Sequence, residues 1–291
     1  MQKLGFYLGI MIADIGSITL VIAFLVAIYA VVAAIVGARR GDDRWVRSAR
    51  NAIIIVFPLV VLACGLVITG LVTGDFSIAY VSQVSSRGMP TYLKVTALWG
   101  GQAGSLLFWN LLLSAFTAAA MLSKWRQQKE LMPYVIIVLG LVQVFFLLVS
   151  SFVESPFVRN DIIPADGNGL NPLLRHPGMI IHPPMLYLGF VGLTIPYAFA
   201  MAALMSNQKS DNWIKTSRRW TLVAWLFLGL GLILGGRWAY DVLGWGGYWG
   251  WDPVENASLM PWLAATAFLH SVMIQEKMRM FKMWNMFLIV L

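Results

Sequence analysis

The chain is 291 residues long, 59% of them apolar and 12% charged, with a mean hydropathy of +0.75. A soluble domain carries about 25% charged residues, so this composition excludes an ordinary water-soluble fold and points to lipid. The formal net charge of +8 raises nucleic acid as a partner, and the placement of the charges removes it.

In chain order, apolar runs recur near 10–37, 52–73, 104–123, 133–152, 183–205, 220–238 and 258–275. Each is long enough to cross a hydrocarbon core of roughly 30 Å. Backbone polar groups in lipid must pair within a segment, so the spans are helices. The expected fold is all-α: a polytopic transmembrane helix bundle of about seven complete spans, forming one membrane domain over 1–291. An eighth run starts at Met283 and stops with the chain at Leu291. At about 1.5 Å per residue it is too short to cross, which predicts a truncated eighth span and a chain that continues beyond 291. The first run lacks the basic flank and cleavage site of a signal peptide. Cys64, the single cysteine, has no internal disulfide partner and reads as a small core residue.

Fifteen of the 21 basic residues fall in odd-numbered loops: Arg39, Arg40, Arg44, Arg47, Arg50; Lys124, Arg126, Lys129; Lys209, Lys215, Arg218, Arg219; and Lys277, Arg279, Lys282. By the positive-inside rule the odd loops face the cytoplasm, and the N-terminus and even loops face outside. The charge therefore encodes orientation, with lipid as the surrounding partner and no nucleic acid. The outer loops, roughly 74–103, 153–182 and 239–257, carry the unusual residues, as functional loops on one face of a scaffold do.

The last outer loop contains GWGGYWGWDPVENASLMPWL. Trp245, Tyr248, Trp249 and Trp251 lie in it, with Trp238 and Tyr240 just before and Trp262 beyond. Aromatics at this depth can form an interfacial belt. Packed into one short loop with Gly244, Gly246, Gly247 and Gly250, they also suit a platform for a large planar apolar ligand. Asp252-Pro253-Val254-Glu255 has the pattern of a helix start, with Asp at N-cap, Pro at N1 and Glu at N3. Three histidines bear on the ligand. His182 precedes Pro183-Pro184 at the outer mouth of the fifth span, where the prolines are expected to pre-set the first helical turn. His176 lies six residues earlier and reads equally as a solvated loop residue. His270 lies fifteen residues past Glu255, about 22 Å down the seventh span. An ionisable group at that depth is a functional candidate, although a histidine bonded between helices is the plainer reading. Neutral imidazole is the usual axial ligand of haem iron, and His182 and His270 lie at depths too different to share one iron.

The segments GWGGYWGWDPVENASLMPWL, FLHSVM, LNPLLRHPGMIIHPPMLYLGFVG and LWGGQAGSLLFW together resemble the CcmF family, the haem lyase component of cytochrome c biogenesis, over most of the chain from about residue 75. The tryptophan-rich "WWD" motif alone is shared with the CcmC and CcsA relatives. The resemblance implies that His182 ligates incoming substrate haem and that His270 ligates a resident b-type haem. It implies that Trp245, Trp249, Trp251, Asp252 and Glu255 belong to a loop that presents haem. The second axial ligands would lie beyond residue 291. The reaction implied is thioether attachment of haem to apocytochrome c on the outer face, with a haem-delivering chaperone and thiol-reduction partners. The alternative is a haem exporter of the CcmC/CcsA type without ligation chemistry. Tyr248-Trp249 stands where the signature has a tryptophan doublet, and Gln102-Ala103 where many members carry His-Glu.

Overall fold

A computed structural model describes residues 2–125, 127–207, 212–243 and 247–290. Ten α-helices follow in order: α1 (Gln2–Arg40), α2 (Asp43–Thr73), α3 (Ala79–Val84), α4 (Thr91–Thr96), α5 (Gln102–Lys124), α6 (Met132–Leu148), α7 (Gly178–Met205), α8 (Asn212–Val242), α9 (Pro253–Met278) and α10 (Lys282–Val290). Among the described residues, β pairing is confined to an isolated bridge between Ile78 and Arg159. Among the described residues, seven helical segments are long and apolar enough to cross a membrane, so the all-α, polytopic expectation holds. α10 covers the eighth apolar run.

Most helices begin before their apolar runs, and several also end beyond them, because a helix continues through interfacial charges that suit its dipole. Arg39 and Arg40 close α1 and Asp43 opens α2, each sign placed where the helix end favours it. The fifth span differs from expectation. α7 starts at Gly178, with Pro177 at its N-cap. His182 therefore lies in the second turn, inside the helix, and Pro183 and Pro184 remove two interior backbone bonds instead of pre-setting the first turn.

The chain divides into two compact units. One comprises Met1–Val31, Asn51–Ala115 and Gly140–His176. In it, Leu20, Ala23, Ala27 and Ala30 of α1 are buried, while Ile15, Ile18, Ile22, Leu25 and Tyr29, at alternating spacings of three and four, are exposed to face lipid. A buried amide cluster joins its helices: Gln143 Nε2 donates to Asn110 Oδ1 (2.8 Å), and Asn110 Nδ2 donates to Ser150 Oγ (2.9 Å). α6 passes into a π-helical turn at Val149–Val153 beside that cluster. The loops around 74–79 and 154–160 in this unit are tied by backbone: Ala79 N donates to Val158 O and Asn160 N to Ser77 O, both at 2.8 Å. Asp166 accepts from the N–H groups of Arg87 (2.8 Å) and Gly167 (2.7 Å), which hold its carboxyl below the usual carboxylate range.

The other unit comprises Val32–Arg50, Phe116–Leu139 and Pro177–Leu291. Its centre is the antiparallel pair α7–α8. Four levels define their register: Gly192 against Ala224, Gly189 against Leu228, Leu186 against Gly231, and His182 against Gly235. A Cβ on Gly189 would come within 2.5 Å of Leu228 backbone, so the two backbones meet there. Membrane helices associate through small residues because lipid supplies little hydrophobic drive between them.

Candidate functional site

The register of α7 on α8 decides the surroundings of His182. Its ring lies on Gly235, where an added Cβ would sit 2.5 Å from Cε1. Trp238, nearly a turn further along α8, stacks on the imidazole with centroids 6.2 Å apart and planes 14° from parallel. His182 Nδ1 lies 2.8 Å from Gly231 O. A carbonyl only accepts, so Nδ1 carries a proton, and in the neutral ring this leaves the lone pair on Nε2.

The aromatic loop is seated on the same stretch of α8. Gly236 leaves room for the Tyr248 carbonyl, which a Cβ would meet at 3.0 Å, and Tyr248 stacks on Tyr240 at 4.7 Å and 8°. Trp249 and Trp251 meet edge-to-face at 5.8 Å and 84°. The described rings thus form pairs instead of the single flat surface expected from the sequence. Trp245 lies outside the described residues. Trp251 has φ 56° and is 69% exposed, a strained backbone that turns its indole outward. Asp252 and Glu255 form the expected capping box: Asp252 Oδ1 accepts from Glu255 N (2.7 Å), and Glu255 Oε2 accepts from Gly250 N (2.8 Å) and Asp252 N (3.3 Å). Both carboxylates fold the tryptophan loop onto the start of α9.

His270 is held separately. α9 packs antiparallel on α8 through stacked Trp225 and Trp262 (5.6 Å, 16°), and Trp225 Nε1 donates to Thr266 Oγ1 at 2.7 Å. One turn on, His270 Nδ1 donates to Thr266 O at 2.8 Å, which again leaves Nε2 with the lone pair. His270 is exposed, and with Ala267, Ser271, Ile274, Phe281, Trp284 and Leu288 it lines an open, mainly apolar groove of about 370 Å³ between α9 and α10. Asn285 fastens the two helices there, bonding Gln275 Oε1 at 2.6 Å and Ser271 Oγ. With α8 as a ruler, His182 stands at Gly235 and Thr266 at Trp225, with His270 a turn beyond. The two imidazoles are about 20 Å apart along the helix axis.

His176 ends the 3₁₀ turn Pro172–Arg175 in the first unit. The loops 74–101 and 154–176 belong to that unit and the tryptophan loop to the other. The residues that sequence reasoning missed are Gly231, Gly235, Gly236 and Thr266. The run GLGLILGG carried a usable signal, since small residues four apart mark a close helix contact.

The residues present fit haem. In each, a carbonyl fixes Nδ1, so the neutral imidazole would offer Nε2, the arrangement of a ligand with its outer partner. One neighbours aromatic rings and the other an apolar groove, as a planar macrocycle needs.

Fold and site together define a multi-pass membrane protein with two separately anchored imidazoles, one of them beside a tryptophan-rich loop. A family model described as "Cytochrome C assembly protein" matches residues 99–291, and the chain belongs to that family. It is 43% identical over 281 residues to the cytochrome c-type biogenesis protein CcmF of Pseudomonas aeruginosa, covering 96% of this chain and 43% of the relative. It is 41% identical over 281 residues to CcmF of Escherichia coli, with the same coverage of each. A solved structure titled "Cytochrome c Heme Lyase CcmF" superposes with a TM-score of 0.82 at 36% identity, over 96% of this chain and 44% of that one. The chain therefore spans less than half the length of the relatives it matches.

Proposed function

We propose that this chain is the haem-handling N-terminal part of a cytochrome c haem lyase component in a bacterial cytoplasmic membrane, with its N-terminus and tryptophan loop outside. The observation that carries the reading is the His182 imidazole, with Nδ1 committed to Gly231 O at 2.8 Å and Trp238 stacked beside it. The names of the relatives and of the matched structure support it. Substrate haem, when bound, supplies the vinyl groups to which client cysteine thiols add, each forming one S–C bond with the thiol proton passing to the other vinyl carbon.

The chain's own residues bind and orient. His182 would hold the haem iron through Nε2. Trp238, Tyr248, Trp249 and Trp251 would supply apolar area beside it that limits access of water. Asp252 and Glu255 keep the loop in register with α9. Holding two reactants at near-attack distance is worth several kcal/mol of barrier, on the order of 7–11 in well-oriented cases, and Cys64 is buried, which sets it apart from the reacting thiols. His270 would hold a resident b-type haem in the groove between α9 and α10.

The test is optical spectroscopy of the full-length protein. His270→Ala is expected to abolish a bis-imidazole b-type spectrum that His182→Ala keeps. His182→Ala is expected to abolish uptake of added haem and its attachment to apocytochrome c. Unchanged haem content in both variants overturns the ligand assignment. Haem uptake without any attachment by the complete system turns the reading into that of an exporter.

A further inference from the structure

The Gly231–Gly235 stretch of α8 has a property beyond close packing. In a helix the carbonyl of residue i receives the N–H of residue i+4, so Gly231 O is directed toward Gly235. That oxygen has a second lone pair, and His182 Nδ1 approaches it at 2.8 Å. The ring lies over Gly235, where an added Cβ would fall 2.5 Å from Cε1, 3.0 Å from Nδ1 and 3.2 Å from Nε2. The imidazole thus occupies a notch with an acceptor at its floor and a wall missing one methyl group. Trp238 closes a further side by stacking.

The notch sits in a larger framework that resists adjustment. Leu186, one turn from His182 on α7, packs against Gly231 itself, where a Cβ would come within 2.8 Å of Leu186 backbone. The backbone of α7 is therefore fixed on α8 at that level. A side chain at 235 cannot be accommodated by sliding the helix, and the imidazole must tilt instead. Tilting lengthens the Nδ1–Gly231 O contact and frees the ring to exchange tautomers.

We propose that Gly231 and Gly235 are positioning residues for His182, setting its ring plane and holding the proton on Nδ1 so that Nε2 faces the ligand unprotonated. This rests on His182 as the iron ligand and adds a second pair of residues on another helix that decides whether it can act as one. Outer hydrogen bonds of this kind alter metal affinity by about 10- to 100-fold.

Solid-state nitrogen-15 NMR of the full-length, haem-free protein in lipid, with histidine labelled and His182→Gln used for assignment, reads the tautomer without any haem. An Nδ1–H, Nε2-bare signal supports the proposal, and the opposite tautomer overturns it. Gly235→Ala is expected to mix the two tautomers and to weaken haem binding about 10- to 100-fold. A rescue experiment separates positioning from general damage. Free imidazole should restore the low-spin spectrum to His182→Gly, and about tenfold more should be needed in His182→Gly/Gly235→Ala, at the low end of the same range. Equal imidazole requirements overturn the notch. If His182→Gly binds haem like the parent, the ligand reading itself fails. If it loses haem while Gly235→Ala keeps full affinity and a single tautomer, only the positioning role fails.

Discussion

Asp252 shows how one side chain can serve both a helix and a loop. It caps α9 through Glu255 N, while Glu255 returns to the N–H groups of Gly250 and Asp252. Asp252→Ala should cost about 0.5–2 kcal/mol and speed hydrogen exchange at the Glu255 amide, whereas Asp252→Asn, an equally good cap, should leave both unchanged. Asp166 makes a different local commitment. Its carboxyl is held below the usual range by the N–H groups of Arg87 and Gly167. A depressed folded pKa means stabilisation present above the unfolded carboxylate range and lost as pH falls through the folded value. Proteolysis of the 161–169 loop should therefore rise as pH drops below about 4. Asp166→Asn should lose that dependence, and a pH profile unchanged by the substitution would count against the assignment.

At the scale of elements, α7 and α8 meet through glycine and alanine at defined levels. Gly189→Ala places a Cβ within 2.5 Å of Leu228 backbone and should destabilise by about 1–3 kcal/mol as overpacking, read as a lowered Tm in detergent. Gly65→Ala, with nothing within 4 Å of its added Cβ, should be neutral or raise stability by up to about 1 kcal/mol. Similar losses at both sites would mean that the α7–α8 contact is looser than described. The same register explains why the platform expected from the loop became a set of ring pairs. Tyr240 and Trp238 face different partners, Tyr248 and His182, because they project from different sides of α8.

At the scale of the whole molecule, the charge bias assigns sides to the loops. Single cysteines placed in a Cys64→Ala background at Arg44 and Lys129 should resist an impermeant maleimide applied to intact cells, and cysteines at Tyr92 and Tyr248 should react. The reverse pattern would invert the topology and put the tryptophan loop on the wrong side for an outer-face reaction. The seven spans, the capping box at Asp252 and the candidate histidines were legible in the sequence because each follows a local rule. Lipid forces every backbone group to pair within its own segment, so span and helix coincide, and a cap involves residues three apart. The start of α7 was misplaced because the double proline reads locally as a first turn, and the chain instead extends the helix back to Gly178. The notch under His182 was invisible for a stronger reason: Gly231 and Gly235 lie about fifty residues away, as the Gly231 contact shows. Sequence by itself determined which segments are long and apolar enough to cross and which imidazoles are candidates. Only tertiary structure decided which glycine each imidazole meets, because between lipid-embedded helices register is chosen by close steric fit of distant residues.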